Sequence, residues 1–72
     1  MIRLDLTGLN CPLPILKTKK FLSSVESGFM VKVITTDPSS EKDIQDFCKK
    51  TGHELIEQSN IDSVIISIIK KS

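Results

Sequence analysis

Residues 37–52 read DPSSEKDIQDFCKKTG, and the fold turns on whether this stretch is helical. Ile44, Phe47, Cys48 and Thr51 recur at spacings of three and four, so a helix gathers them into one stripe. Asp37 suits the N-cap, Pro38 the first helical position and Gly52 the stop. The flanking runs have a different character. Residues 29–36, FMVKVITT, are rich in β-branched side chains and read as a strand. Residues 53–59, HELIEQS, and 63–70, SVIISIIK, read as two further strands joined by a short turn around Asn60 and Asp62.

Working back toward the start, residues 2–6, IRLDL, alternate apolar and polar, the signature of a half-buried strand. Ile15, Thr18, Leu22 and Val25, with Phe21 beside them, share one face of a second helix. Gly28 stands where that helix is expected to stop. The order is β-α-β-α-β-β. Strands that alternate with helices pair in parallel through right-handed crossovers. Two such crossovers progressing in one direction place both helices on one face, which predicts an α/β two-layer sandwich with a four-stranded sheet. The last strand is apolar on both sides, with Val64, Ile66 and Ile68 on one and Ile65 and Ile69 on the other. It belongs inside the sheet, because a long apolar edge invites aggregation. The bare face of the sheet is left free for association.

Seventy-two residues are expected to form one domain, residues 1–72, with a modest core. Two cysteines and one histidine are too few for a disulfide framework or a cysteine-rich zinc site. No cofactor motif is present, so neither metal nor cofactor is expected. A net charge of +1 and the lack of Tyr and Trp argue against nucleic acid, which is bound through basic faces and stacking aromatics. The opening MIRLDLTG has no basic segment followed by an apolar run. VIISII falls far short of the roughly 18 apolar residues of a membrane span. The expected location is the cytoplasm, where thiols stay reduced.

Cys11 lies in GLNCPLPILK, residues 8–17. With Pro12 at the first helical position and Pro14 at the third, Cys11 becomes the N-cap. The prolines stiffen the entrance and fix the direction of the sulfur. A thiolate there faces the positive end of the helix dipole, which lowers its pKa. Because both prolines lack an N–H, the Leu13 amide is the main nearby donor and the expected shift is moderate. Ser, Thr, Asp and Asn cap helices better than Cys, so reactivity explains Cys11 better than capping does. Cys48 sits on the apolar stripe of the other helix and reads as a buried structural residue. His53 follows the far end of that helix, about 20 Å from its start, so a Cys11–His53 dyad is not expected. Leu13 and Leu16 fall away from the core stripe near Lys17 and Lys20. This side is either an ordinary solvated face or a docking patch for an acidic partner surface. A single nucleophile with no base beside it fits a partner-dependent carrier better than a self-sufficient enzyme. A redox-sensing or regulatory interaction module is the other reading of the same sulfur.

Three stretches carry a resemblance: DLTGLNCPLPILK, VITTDPSSEKDIQDFCKKTGHEL and VIISIIKK. Over nearly its whole length the chain resembles the TusA/SirA-like sulfur-carrier family, whose Cys-Pro-x-Pro motif falls on Cys11, Pro12 and Pro14. The resemblance implies a mixed four-stranded sheet with the last strand central and antiparallel. It also implies a persulfide on Cys11, loaded by a donor protein such as a cysteine desulfurase or a rhodanese-like enzyme and passed to an acceptor protein, in some members on the way to tRNA thiolation. Other members sit beside membrane transporters of sulfur compounds. Asn10 stands where the tRNA-thiolation members have a basic residue, and Leu13 where they have an acidic one. The resemblance therefore points to the carrier role and leaves the pathway open.

Overall fold

A computed structural model describes residues 2–72. Its elements are β1 (Ile2–Leu6), α1 (Leu13–Ser23), β2 (Met30–Thr35), α2 (Ser40–Thr51), β3 (Glu54–Ile61) and β4 (Val64–Lys70). The sheet order is β1-β2-β4-β3. β1 and β2 are parallel, whereas β4 runs antiparallel to both β2 and β3. The mixed sheet, the element order and the central last strand are those expected from the sequence.

Register explains which side chains meet the helices. Ile2, Leu4 and Leu6 pair with Val31, Val33 and Thr35, so these alternate positions share a face. Ile65, Ser67 and Ile69 of β4 pair across from Thr35, Val33 and Val31. Onto that face pack Leu22 of α1 and Ile44, Phe47 and Cys48 of α2, forming one core cluster with Leu6, Val31, Val33 and Ile69. Both helices therefore cover the same side. The β3–β4 connection tightens to Asp62 and Ser63, both at positive φ, with Ile61 paired directly to Val64. Two residues at positive φ make the hairpin turn that matches strand twist. Asn60, expected in the turn, is a strand residue. A register shift between Leu55 and Glu57 leaves Ile56 exposed, as an unpaired bulge residue is.

Buried polar groups are satisfied locally. The Thr18 hydroxyl, on the core stripe of α1, donates back to the Pro14 carbonyl at 2.8 Å. Gln58 of β3 ties three elements together. Its amide donates to the Ser67 hydroxyl at 3.1 Å and to the Glu41 carbonyl at 3.0 Å, and its carbonyl oxygen accepts from Gln45 at 2.7 Å. This fixes the first turns of α2 against the sheet.

The helix boundaries differ from those expected. Pro12, not Cys11, is the N-cap of α1, so Pro14 occupies the second helical position rather than the third. α2 begins at Ser40 with Ser39 as its N-cap, two residues after Asp37. α1 ends at Ser23 with Ser24 as its C-cap, and Gly28, at φ 87°, serves the turn into β2 instead. Gly52 does close α2, in the left-handed conformation at φ 81°.

Candidate functional site

Cys11 sits between the end of β1 and the first turn of α1, exposed to solvent. The loop that carries it is held from both sides. Gly8, at φ 81°, turns the chain out of β1 in a region that only glycine enters freely. The Gly8 N–H donates to the Thr36 hydroxyl at 2.9 Å, and the Thr7 N–H donates to the Asp5 carboxylate at 3.0 Å. Asp37 then joins the cysteine loop to the entrance of α2. One of its carboxylate oxygens accepts the Cys11 N–H, and the other accepts both the N–H and the hydroxyl of Ser39. These bonds, chiefly those from Ser39 and then that from Cys11, hold the Asp37 pKa below the usual carboxylate range.

The mouth of α1 offers the sulfur less positive charge than its position suggests. Pro12 and Pro14 carry no N–H. The Cys11 N–H is committed to Asp37, and the Leu13 N–H, expected to face the sulfur, donates to the Asn10 carbonyl at 2.9 Å. The Cys11–Pro12 peptide is cis. Acidic groups dominate the surroundings. The neighbouring Asp43 carboxylate does most to hold the Cys11 thiol above the ordinary cysteine range. Local desolvation and the negative charges of Asp43 and Asp37 add to this, and the Ser39 hydroxyl opposes it. The direction is the reverse of that expected from the helix dipole.

A groove of about 450 Å³ runs from Cys11 between the two helices. It is lined by Pro12, Ile15, Leu16 and Lys19 on the α1 side and by Asp43, Asp46, Phe47, Lys50 and Thr51 on α2. Of the four docking candidates, Leu16 lines this groove. Leu13, Lys17 and Lys20 lie on exposed positions of α1 outside it. Lys19 and the acidic residues of α2 were not among the candidates, because their proximity to Cys11 arises from helix packing rather than chain order. Cys48 is buried at 4% exposure, and burial pushes its thiol pKa up. His53 packs its ring 5.7 Å from that of Phe47, and its Nδ1 accepts the Ser72 N–H at 3.1 Å. It does not line the groove. Among the described residues, no three His, Cys, Asp or Glu side chains converge as a metal site, and no helix is long and apolar enough to cross a membrane.

The chain is similar to proteins described as sulfur carriers. It is 51% identical over 69 residues, 96% of this chain and 91% of the other, to the sulfur carrier protein TusA of Allochromatium vinosum. It is 41% identical over 68 residues to TusA of Pseudomonas putida, covering 94% of this chain and 85% of that one. The crystal structure of a SirA-like protein from Desulfitobacterium hafniense superposes with a TM-score of 0.85 at 30% identity, covering 97% of this chain and 96% of that one. The family described as Sulfurtransferase TusA matches residues 2–71. A two-layer sandwich that presents one exposed cysteine at the start of its leading helix, matched over residues 2–71 to that family, belongs to the TusA sulfurtransferase family.

Proposed function

We propose that this protein is a sulfur carrier that accepts sulfane sulfur as a persulfide on Cys11 and passes it to a partner protein. The observation that carries the reading is the exposed Cys11 sulfur, on a loop pinned by Asp37 and opening onto the interhelical groove. The step balances without an external oxidant. The Cys11 thiolate attacks the terminal sulfur of a donor persulfide and a new S–S bond forms. The donor's S–S bond breaks, and its electron pair leaves on the donor thiolate, which takes up the proton that Cys11 gave up. Delivery is the same exchange with a second protein's thiolate as the attacking group.

A cysteine desulfurase or a rhodanese-like enzyme suits the donor role, because each presents a persulfide. The acceptor is a protein thiol, in a tRNA-thiolation route or another branch of sulfur metabolism, and a transporter of sulfur compounds is a further partner of the same chemistry. The proposed place of action is the cytoplasm, where both thiols stay reduced. Leu13 and Leu16, at 44% and 54% exposure, with Lys17 and Lys20 beside them, serve as the docking surface next to the sulfur. The peroxide-sensor reading is weakened by the site itself, since sensor cysteines are low-pKa thiolates and Cys11 is held the other way.

The test is intact-mass measurement after incubation with a cysteine desulfurase and cysteine. The expected result is one added sulfur on the native chain and on Cys48→Ser, and none on Cys11→Ser. Sulfur added to Cys11→Ser overturns the assignment.

A further inference from the structure

The sheet has two faces, and the helices cover one of them. Val31, Val33 and Ile69 pack against the helices, so the alternate positions on each strand point away. Two cross-strand rows make up most of this second face. One runs Arg3, Lys32, Ile68 and Glu57, and the next runs Asp5, Ile34, Ile66 and Ser59. The middle of the face is apolar. Ile34, Ile66 and Ile68 adjoin Val64 on β4, and Ile61 beside Val64 is 61% exposed. The flanks carry opposite charge. Arg3 and Lys32 lie on β1 and β2, whereas Glu54 and Glu57 lie on β3. The strands of Arg3 and Glu57 are about 14 Å apart at the usual strand spacing, with Lys32 and Ile68 between them.

We propose that this face is an interface between two copies of the chain, related by a two-fold axis parallel to the strands, so that β1 of each copy lies over β3 of the other. That rotation keeps every row in place and reverses its order. Arg3 then faces the partner's Glu57, Asp5 faces the partner's Ser59 and Ile34 faces the partner's Ile66. Each contact occurs twice, as in any isologous pair. Stacked sheets hold their strands within about 30° of alignment, which preserves this matching. Charge complementarity selects the occupant. A nucleic acid or a uniformly acidic surface would meet Asp5 and Glu57, and a uniformly basic one would meet Arg3 and Lys32. A second copy meets each sign with its opposite. The outward positions of the four strands cover roughly 400 Å² per copy. Twice that is below the about 1,200 Å² at which standard stable interfaces begin. The pair is therefore reversible, held by its isoleucine centre and aligned by two Arg3–Glu57 contacts. Both cysteine grooves lie in the outer helical layers and stay open. Pairing through this face needs no sulfur on Cys11, so it goes beyond the carrier reading and is independent of it.

The experiment is analytical ultracentrifugation of the full chain from about 10 μM to about 1 mM, the range in which a small interface associates. A reductant is present throughout, so that no disulfide between Cys11 sulfurs enters the signal. Arg3 and Glu57 are exposed, so reversing either charge leaves the core intact. The native mass is expected to rise from one chain toward two as concentration increases. Arg3→Glu alone and Glu57→Arg alone each set like charges against each other and are expected to associate at least about tenfold more weakly. An equimolar mixture of these two variants restores both opposite-charge contacts, and its association is expected to return to the native level. Recovery on mixing also shows that the single variants are folded, and no contact within one chain can produce it. A native chain that stays single at every concentration, as a face reserved for a different protein would, overturns the interface. Single variants that associate like the native chain, or a mixture that stays as weak as its components, overturn it equally.

Discussion

Cys11 and Cys48 carry the same thiol and both are held above the ordinary cysteine range, but the leading causes differ. Cys48 is buried among Ile44, Phe47 and the sheet, and its pKa rises because the interior cannot solvate a thiolate. Cys11 is exposed, and its pKa rises chiefly through the neighbouring Asp43 carboxylate, then local desolvation and the charge of Asp37. The first restraint is part of the core and can be lifted only by unfolding. The second is chiefly a matter of neighbouring side chains at the surface, where a partner can reach them. Reactivity in this molecule therefore depends less on the pKa of the free protein than on whether the cause of that pKa can be removed while the fold stays intact.

The most severe way to test the contrast is to put a charge at each position. Cys48→Asp buries a carboxylate with no partner and is expected to cost several kcal/mol. That is a large share of the roughly 5–15 kcal/mol that holds a small domain together. Urea denaturation should find this variant largely unfolded, while Cys11→Asp, at the surface, unfolds close to the native midpoint. Equal losses at the two sites would erase the distinction between them. A gentler version replaces each cysteine with serine. At position 48 the hydroxyl enters an apolar site and is expected to cost about 1–3 kcal/mol. At position 11 the melting temperature should not move.

A third substitution loosens the Cys11 loop without touching either sulfur. Gly8 sits at φ 81°, and a Cβ there would meet no atom within 4 Å. Gly8→Ala therefore tests backbone conformation alone. The left-handed region costs a side chain about 1–2 kcal/mol, so thermal unfolding should register a loss of that size. The Cys48 environment should be unchanged, as read by its continued protection from alkylation. A Gly8→Ala chain as stable as the native one would mean that the loop relaxes freely and does not define the position of the sulfur.

These outcomes also mark how far the sequence could be read. Periodicity was sufficient for the element order, the two-layer packing and the inner place of the last strand, while its antiparallel direction was implied by the family resemblance. The doubly apolar run Val64–Ile69 belongs to the strand that lies between β2 and β3, and the stripe of Ile44, Phe47 and Cys48 does reach the core. The exposed Cys11 and buried Cys48 were likewise legible, because each follows from local pattern. The entrances to the helices were not. Asp37 looked like a cap for α2, but its carboxylate is shared with the Cys11 N–H, 26 residues away in the chain, and Ser39 takes the capping position. The direction of the Cys11 pKa was missed for the same reason. The dipole argument used the chain neighbours of the sulfur, whereas Asp37 and Asp43 arrive from another element. One signal was available: parallel β-α units bring both helix starts to one edge of the sheet, so the acidic residues near the start of α2 had to be counted as neighbours of Cys11.

The smallest expected effect isolates that shared carboxylate. In the folded protein Asp37 accepts from Ser39 and Cys11, and these bonds lower its pKa relative to the unfolded chain. A carboxyl group whose folded pKa is depressed contributes stability that is fully present above its unfolded value, near pH 4, and is lost as pH falls through the lower folded value. The native chain should therefore lose stability on acidification below about pH 4, and Asp37→Asn should lose less over the same interval, because an amide has no proton to gain. Above that window the native chain is the more stable, since the asparagine variant lacks the charge-assisted bonds at every pH. Denaturant midpoints measured from neutral pH down to about pH 3 would show two curves that converge on acidification. Parallel curves would mean that the carboxylate bridge between the Cys11 loop and α2 is replaced by water in solution. The sulfur would then be positioned by Gly8 and the two prolines alone.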